Sequence, residues 1–91
     1  MTEQPNDKSL LEFPTSFPIK ALGRKNSNFK QTVIDLIAIH AEFDPLQDVQ
    51  EQLSKQGNFT SVTVTFTALN QAQLDTIYQS LHDHELVLMV F

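Results

Sequence analysis

The sequence predicts a single α+β domain in which strands and helices follow one another in the order βαββαβ. Three observations support this prediction. Within the segment 59–68, apolar and hydroxyl-bearing residues alternate from Ser61 onward, as in a strand with one buried face. Two other segments repeat their apolar residues with the period of an amphipathic helix. Strand patterns before the first helix and after the second complete the order.

Length and composition fit one small domain. With 91 residues, of which 41% are hydrophobic, the chain can fill one core. Residues 1–9 are polar, mixed in charge and without periodicity. We therefore expect a disordered N-terminal tail over 1–9 and one domain over 10–91.

The first half of the domain is predicted to form a strand and a helix. Residues 16–24 alternate as in a strand, which Gly23 closes. Ser27 is in position to cap a helix over about 28–42, and Pro45 lies just beyond the end of that helix. The residues expected to face the core are Phe17, Ile19 and Ala21 of the strand and Phe29, Val33, Leu36, Ile37 and His40 of the helix.

The second half is predicted to form a hairpin, a second helix and a last strand. Residues 46–54 alternate more weakly and are expected to form an edge strand, which a short turn joins to the strand 59–68. Asn70 and Gln73 have the spacing of a capping box, and the final strand, 85–91, is apolar on both faces. The residues expected to face the core are Val62, Val64, Phe66 and Ala68 of the strand and Leu74, Ile77, Tyr78 and Leu81 of the helix.

This element order favours a ferredoxin-like sandwich. Right-handed crossovers lead to a four-stranded antiparallel sheet with the strand order 4-1-3-2 and with both helices on one face. The other face, which carries Ser61, Thr63, Thr65 and Thr67, is expected to be open to solvent.

Composition argues against several classes of function. Eleven acidic and six basic residues give a net charge of -5, which disfavours nucleic-acid binding through phosphate neutralisation. The chain has no cysteine, and therefore no disulfide, thiolate metal site or redox couple. It also has no apolar run of membrane-spanning length and no signal-peptide pattern at its start, so we expect a cytoplasmic protein.

Two stretches resemble the signature segments of a known family. Residues 10–17 read Leu-Leu-Glu-Phe-Pro-Thr-Ser-Phe, and residues 54–62 read Ser-Lys-Gln-Gly-Asn-Phe-Thr-Ser-Val. Together with Gly23, His40 and the ending Val87-Leu88-Met89-Val90, they are similar to the YbeD-like family of small bacterial proteins over about residues 10–91. The resemblance implies a ferredoxin-like fold close to that of ACT regulatory domains, which bind small effectors such as amino acids. It implies no established activity; a link to lipoate metabolism has been suggested for the family.

The first candidate site is the segment that joins the first strand to the first helix. It consists of Gly23, Arg24, Lys25, Asn26 and Ser27. Free N–H groups and the helix dipole attract anions at a helix N-terminus, and two adjacent cations add to this attraction. We expect a phosphate, a carboxylate effector or an acidic peptide there. The alternative is a solvated loop, and the residues after Gly23 are bulkier than those of a typical ACT effector loop.

The second candidate site is a surface formed by the last strand. It consists of Leu86, Val87, Leu88, Met89, Val90 and Phe91, together with Leu22 on the open face. An apolar edge strand with unpaired backbone groups favours strand addition or sheet pairing, and hence a protein partner or a homodimer. The alternative is internal coverage by Leu10, Leu11 and Phe13, folded back over the sheet.

No pattern in the sequence indicates catalysis, a metal site or a cofactor. His82 and His84 diverge at the end of a helix, where no third ligand is expected to converge on them. Nucleophile motifs and glycine-rich phosphate loops do not occur. RNA-recognition domains share the predicted topology, but the open face is expected to offer one aromatic residue, Phe59, and one cation, Lys20.

The sequence therefore predicts a non-enzymatic regulatory or protein-interaction domain with an ACT-like fold. We expect it to contact a protein partner, a second copy of itself, or both, through residues 86–91 and the open face. We expect no nucleic acid, membrane, metal or cofactor. The alternative is a sensor that binds an anionic metabolite or an amino acid at residues 23–27.

Overall fold

The computed structural model describes residues 11–26 and 28–91. The tail predicted for residues 1–9 and the helix cap predicted at Ser27 lie outside the described residues. The elements follow the predicted order βαββαβ. They are β1 (Thr15–Arg24), α1 (Phe29–Ala38), β2 (Val49–Leu53), β3 (Phe59–Ala68), α2 (Gln71–Asp83) and β4 (Val87–Val90).

The four strands form one antiparallel sheet in the order β2-β3-β1-β4. Read from the other edge, this is the predicted order 4-1-3-2. β1 and β3 occupy the centre and pair along their whole length, from Thr15 opposite Ala68 to Arg24 opposite Phe59. β2 and β4 form the two edges. The ferredoxin-like sandwich predicted from the sequence is confirmed.

The core lies between one face of the sheet and the two helices. The alternation of β3 turns Val62, Val64 and Phe66 inward, as predicted, and leaves the threonines between them on the other face. Burying each of these large apolar side chains contributes roughly 1.5–3 kcal/mol. The other buried apolar residues are Ile19 and Ala21 of β1, Ala68 of β3, Phe29, Val33, Ile34 and Ile37 of α1, and Leu74, Ile77 and Leu81 of α2.

α1 ends at Ala38 and is therefore shorter than the predicted helix 28–42. The N–H groups of the two residues at 40 and 41 both donate to the Ile37 carbonyl, at 2.9 and 3.0 Å, and so close the last turn. α1 packs against both the sheet and α2. Its buried face includes Ile34, which was not among the predicted core residues. Leu36 and His40, predicted as core residues, are only half-buried, and His40 lies beyond the end of the helix. Neither this nor any other helix of the described residues is long and apolar enough to cross a membrane.

β2 begins three residues later than the predicted strand 46–54, at Val49. The preceding residues form a turn that two carboxylates stabilise. Asp44 Oδ1 accepts a hydrogen bond from the Leu46 N–H (2.9 Å), and Asp48 Oδ2 accepts one from the Asp44 N–H (2.8 Å). The extended backbone starts where these contacts end.

Candidate functional site

The described residues of the first predicted site, 23–26 at the end of β1 and just after it, do not lie in one place. Gly23 is buried within β1. A Cβ atom there would collide with the Phe29 ring and would lie 2.7 Å from the Leu86 carbonyl oxygen. The missing side chain therefore makes room for α1 and for the chain that enters β4. Ser27 lies outside the described residues.

Arg24 and Lys25 lie in different surroundings. The Arg24 guanidinium lies over the Phe59 ring, 5.8 Å from its centroid. Lys25 and Asn26 instead line a cleft of about 450 Å³. Asn26 also stabilises the turn into α1, because its side-chain oxygen accepts from the Asn28 N–H (2.8 Å). Two of the four described site residues thus share one cleft.

The cleft combines both signs of charge with a buried hydroxyl. Its other lining residues are Glu51, Leu53 and Thr60. Thr60 is only 2% exposed, and its hydroxyl has no hydrogen-bond partner among the described residues. A buried hydroxyl is stabilised by a hydrogen-bond partner, and a polar ligand atom in the cleft could be one. With Lys25 and Glu51 both present, the cleft suits a zwitterion better than a simple anion.

The solvent side of the sheet, which we call the open face, has an apolar end where the chain finishes. The residues there are Lys20, Leu22 and Arg24 of β1, Phe59 and Ser61 of β3, Met89 of β4 and Phe91. Met89 pairs with Leu22 across the strands. The Phe91 N–H donates to the Lys20 carbonyl (2.8 Å), and the Phe91 carbonyl accepts from the Lys20 N–H (3.2 Å). This exchange continues the β4 pairing to the last residue of the sequence.

The expectation that this face offers one aromatic residue and one cation is wrong. Phe91 and Arg24 also lie there. The Lys20 ammonium is 5.9 Å from the Phe91 ring centroid, so each ring at this end has a cation over it. Arg24 merely continues the alternation of β1 and could have been predicted. Phe91 could not, because a register shift between Leu22 and Gly23 changes the alternation of β4.

The six predicted interface residues at the end of the chain fall into two groups. Leu86, Val87 and Val90 are half-buried and pack against the core. Leu88, Met89 and Phe91 are 48%, 53% and 56% exposed. Among the described strands, β4 is bonded to β1 alone, so no described strand covers its outer edge.

The alternative to an exposed surface was that Leu10, Leu11 and Phe13 fold back over the sheet, and the described part of this segment does not cover the open face. Leu11 and Phe13 pack against the core instead. They lie next to the first residue of β1, Thr15, which pairs with Ala68. Leu22 lies near the other end of the strand. Leu10 lies outside the described residues.

The titratable side chains of α2 do not form a metal site. Within the described ranges, no group of three or more His, Cys, Asp or Glu residues is placed to hold a metal ion. His84 Nδ1 accepts a hydrogen bond from the Leu86 N–H (3.1 Å) and so helps to end the helix. Burial raises the pKa of Tyr78 above its ordinary value of 10.0, so this phenol stays protonated near neutral pH.

Comparison with known proteins gives a family and a fold. The family described as "Protein of unknown function (DUF493)" matches residues 8–91. A "UPF0250 protein" of Neisseria gonorrhoeae (strain NCCP11945) is 43% identical over 90 residues, which cover 99% of both chains. The solution structure of protein HP0495 from H. pylori is similar to this chain with a TM-score of 0.73 at 16% identity, covering 100% of this chain and 98% of that chain.

The fold also resembles a domain of known type. The ACT domain from the GTP pyrophosphokinase of Chlorobium tepidum has a TM-score of 0.61 at 15% identity, covering 86% of this chain and 96% of that chain. At this identity the likeness shows the fold alone, and it confirms the ACT-like architecture that the sequence resemblance implied. From the match over residues 8–91 and the 43% identical relative, the chain belongs to the DUF493 family of proteins of unknown function.

Proposed function

We propose that this protein is a non-enzymatic regulatory or interaction domain that binds a protein partner through the edge of β4 and the adjoining open face. The observation that carries this proposal is the exposure of Leu88, Met89 and Phe91 within one short stretch of the edge strand and its end. Adjacent exposed apolar side chains of this size are typical of interaction surfaces. We place the interaction in the cytoplasm, a reducing compartment in which a chain without cysteine needs no disulfide.

Among the described strands none covers the outer edge of β4, so this edge can pair with a strand of a partner. Edge strands are commonly protected by charged residues, prolines or bulges. β4 reads Val-Leu-Met-Val, and its one such feature is the register shift against β1. An extended segment of a partner can hydrogen-bond to the outer backbone groups of β4 while its side chains contact Met89 and Phe91.

A pair of matched substitutions tests this proposal. Met89→Lys places a charge in the proposed surface. Leu46→Lys makes the same kind of change at a residue that is 92% exposed and that precedes β2, the opposite edge of the sheet. We expect a partner captured from the native lysate by the wild type and by Leu46→Lys to be lost from Met89→Lys.

Sedimentation velocity on the same three proteins tests self-association. If the partner is a second copy, the wild type and Leu46→Lys will show a concentration-dependent sedimentation coefficient that Met89→Lys lacks. Equal capture and equal sedimentation by all three proteins would contradict the proposal.

A small-molecule sensor is the second candidate function. The cleft that Lys25 and Glu51 line together with the buried Thr60 favours it. Titration of the labelled chain with amino acids, lipoate and nucleotides, followed by NMR, separates the two candidates. Shifts confined to residues 23–28 and 60 support the sensor, and unchanged amides at these positions rule it out.

A further inference from the structure

We infer that the open face binds an acidic segment of a partner protein, in which carboxylates flank an apolar side chain. This inference rests on the proposed function, because it names the chemistry of the partner for the same surface. Three observations carry it: the distribution of charge on this face, the surroundings of its two cations, and a depression that Lys20 and Lys55 line.

The open face differs in sign from the chain as a whole. The net charge of the chain is -5, yet the four strands contain a single acidic residue, Glu51. Glu51 pairs with the buried Val62 and therefore lies on the helix side of the sheet. The strands thus present Lys20 and Arg24 to the open face and no carboxylate. A surface of this kind attracts anionic partners and repels cationic ones.

The two cations remain available to a partner. Within the described ranges, neither Lys20 nor Arg24 makes an ion pair with a carboxylate; each lies over an aromatic ring instead. Such a contact leaves the hydrogen-bond donors at the rim of the guanidinium and on the ammonium free for an incoming acceptor. Arginine in particular can bind a carboxylate through two parallel hydrogen bonds.

A depression at this end of the face fits a side chain between the charges. It has a volume of about 370 Å³. Apolar lining comes from Leu22, Phe59 and Phe91, and charged lining comes from Lys20 and Lys55. An aliphatic or aromatic side chain placed there would bring carboxylates on neighbouring residues within reach of these cations.

A second copy of the chain fits this surface less well. In a two-fold symmetric contact the same patch lies on both sides of the interface. The contact would then bring together Lys20 and Arg24 of both copies, and the strands carry no acidic side chain on either open face to neutralise them. Unpaired like charges in a contact are strongly unfavourable. The charge pattern therefore favours a different, acidic protein.

Single-stranded RNA also fits less well, although two aromatic rings are present. Affinity for single strands grows with the number of phosphates that cations neutralise, with a salt slope of about 0.7 per phosphate. Lys20, Arg24 and Lys55 would neutralise few phosphates, and the acidic remainder of the chain would repel the rest of the strand.

Three probes and two double variants test the inference on the full chain. The probes are a short peptide with one leucine between pairs of glutamates, its glutamine counterpart and oligouridylate. We expect the acidic peptide to shift the amides of Lys20, Leu22, Phe59 and Phe91 in the NMR spectrum. The variant Lys20→Glu/Arg24→Glu should bind it at least about tenfold more weakly. The control Lys30→Glu/Ala72→Glu places two acidic side chains at exposed positions of α1 and α2, on the other side of the sheet, and should stay within about twofold of the wild type.

Four results would overturn the inference. They are equal binding of the glutamine peptide, equal weakening by both double variants, binding of oligouridylate in place of the peptide, and no amide shift with any probe. The Met89→Lys capture experiment separates these results from the proposed function. If Met89→Lys still loses its partner, the surface is correct and only the partner chemistry is wrong. If it does not, both proposals fail.

Discussion

At Gly23, the absence of a side chain decides how closely α1 and β4 approach β1. Phe29, the first residue of α1, is fully buried, and its ring lies where a Cβ atom on residue 23 would be. Gly23 also pairs with Val87 of β4. One position therefore sets the packing of two elements, and both adjoin the surfaces proposed for binding.

Gly23→Ala is expected to destabilise the protein. The added methyl group must displace either the Phe29 ring or the backbone at Leu86, and overpacking of this kind costs about 1–3 kcal/mol. The free energy of unfolding in urea measures this loss. Circular dichroism before denaturation checks that the variant still folds.

A double-mutant cycle identifies the contact that is responsible. Phe29→Leu removes the ring atoms that meet the new methyl group, so we expect it to cost less in the Gly23→Ala background than in the wild type. Gly57→Ala is the control: φ there is +75° and no atom lies within 4 Å of the added Cβ, so its cost of about 1 kcal/mol should add to that of Phe29→Leu. Additive costs in both pairs would show that the Phe29 contact is not the cause.

The role of Gly23 could be predicted from the sequence only in part. A glycine at the end of a strand indicates a turn or a close approach, and the close approach is present. The partners in that approach, Phe29 and Leu86, come from two other parts of the chain, so strand periodicity alone does not reveal them. For the same reason the sequence placed five consecutive residues in one site, whereas the strand geometry separates Arg24 from Lys25.

At the level of elements, Gln73 at the N-terminus of α2 takes part both in the cap of its own helix and in a contact with a distant part of the chain. The Gln73 N–H donates to Asn70 Oδ1 (2.8 Å), and the Leu69 N–H donates to Gln73 Oε1 (2.6 Å). The amide nitrogen of the same side chain donates to the His40 carbonyl (2.8 Å), just beyond the end of α1. Gln73 therefore caps one helix and binds the end of the other.

Gln73→Ala is expected to lower the free energy of unfolding by about 1–3 kcal/mol, because it removes both contacts and leaves the part-buried His40 carbonyl without this donor. Gln73→Glu should lose less, since it keeps an acceptor for the Leu69 N–H. Gln71→Ala is the matched control on the same helix: its exposed pair with Asp75 contributes only about 0.2–0.5 kcal/mol. Thermal or urea unfolding of the three variants gives the order. A loss in Gln73→Ala no larger than that in Gln71→Ala would contradict this role.

The elements themselves differ in how well the sequence predicted them. β3 and the start of α2 were predicted well, because strand alternation and the spacing of Asn70 and Gln73 are local signals. The late start of β2 was missed because the side chains of Asp44 and Asp48 accept backbone hydrogen bonds in the preceding turn. Such contacts compete with an extended backbone and leave little trace in periodicity.

For the molecule as a whole, the sheet topology could be predicted from the order of the elements, whereas the proposed binding surface could not. Six elements in this order with right-handed crossovers leave one simple sheet, and that sheet was predicted. The charge of the open face depends on which way Arg24 and Glu51 turn, and the apolar end depends on the register of β4. Both are properties of strand pairing.

The two edges of the sheet are expected to differ in stability, and this bears on how β4 could bind a partner. Four of the five residues of β2 are exposed. β4 is shorter, but Val87 and Val90 pack against the core, and Phe91 exchanges two hydrogen bonds with Lys20. An edge held in this way is already ordered before a partner arrives, which lowers the cost of association.

Hydrogen exchange of the backbone amides tests this difference on the full chain. We expect the slowest exchange in β1 and β3, where pairing is continuous, and intermediate exchange at the bonded amides of β4 and Phe91, with β2 fastest. The order follows from burial, because an amide exchanges when its segment opens and exposed segments open most readily.

If β4 exchanges as fast as β2, its edge frays, and a partner must supply about 1–2 kcal/mol for each residue that it orders. Docking would then depend on the side chains of Leu22, Phe59 and Phe91 rather than on strand addition, and Met89→Lys would weaken capture less than Lys20→Glu/Arg24→Glu does.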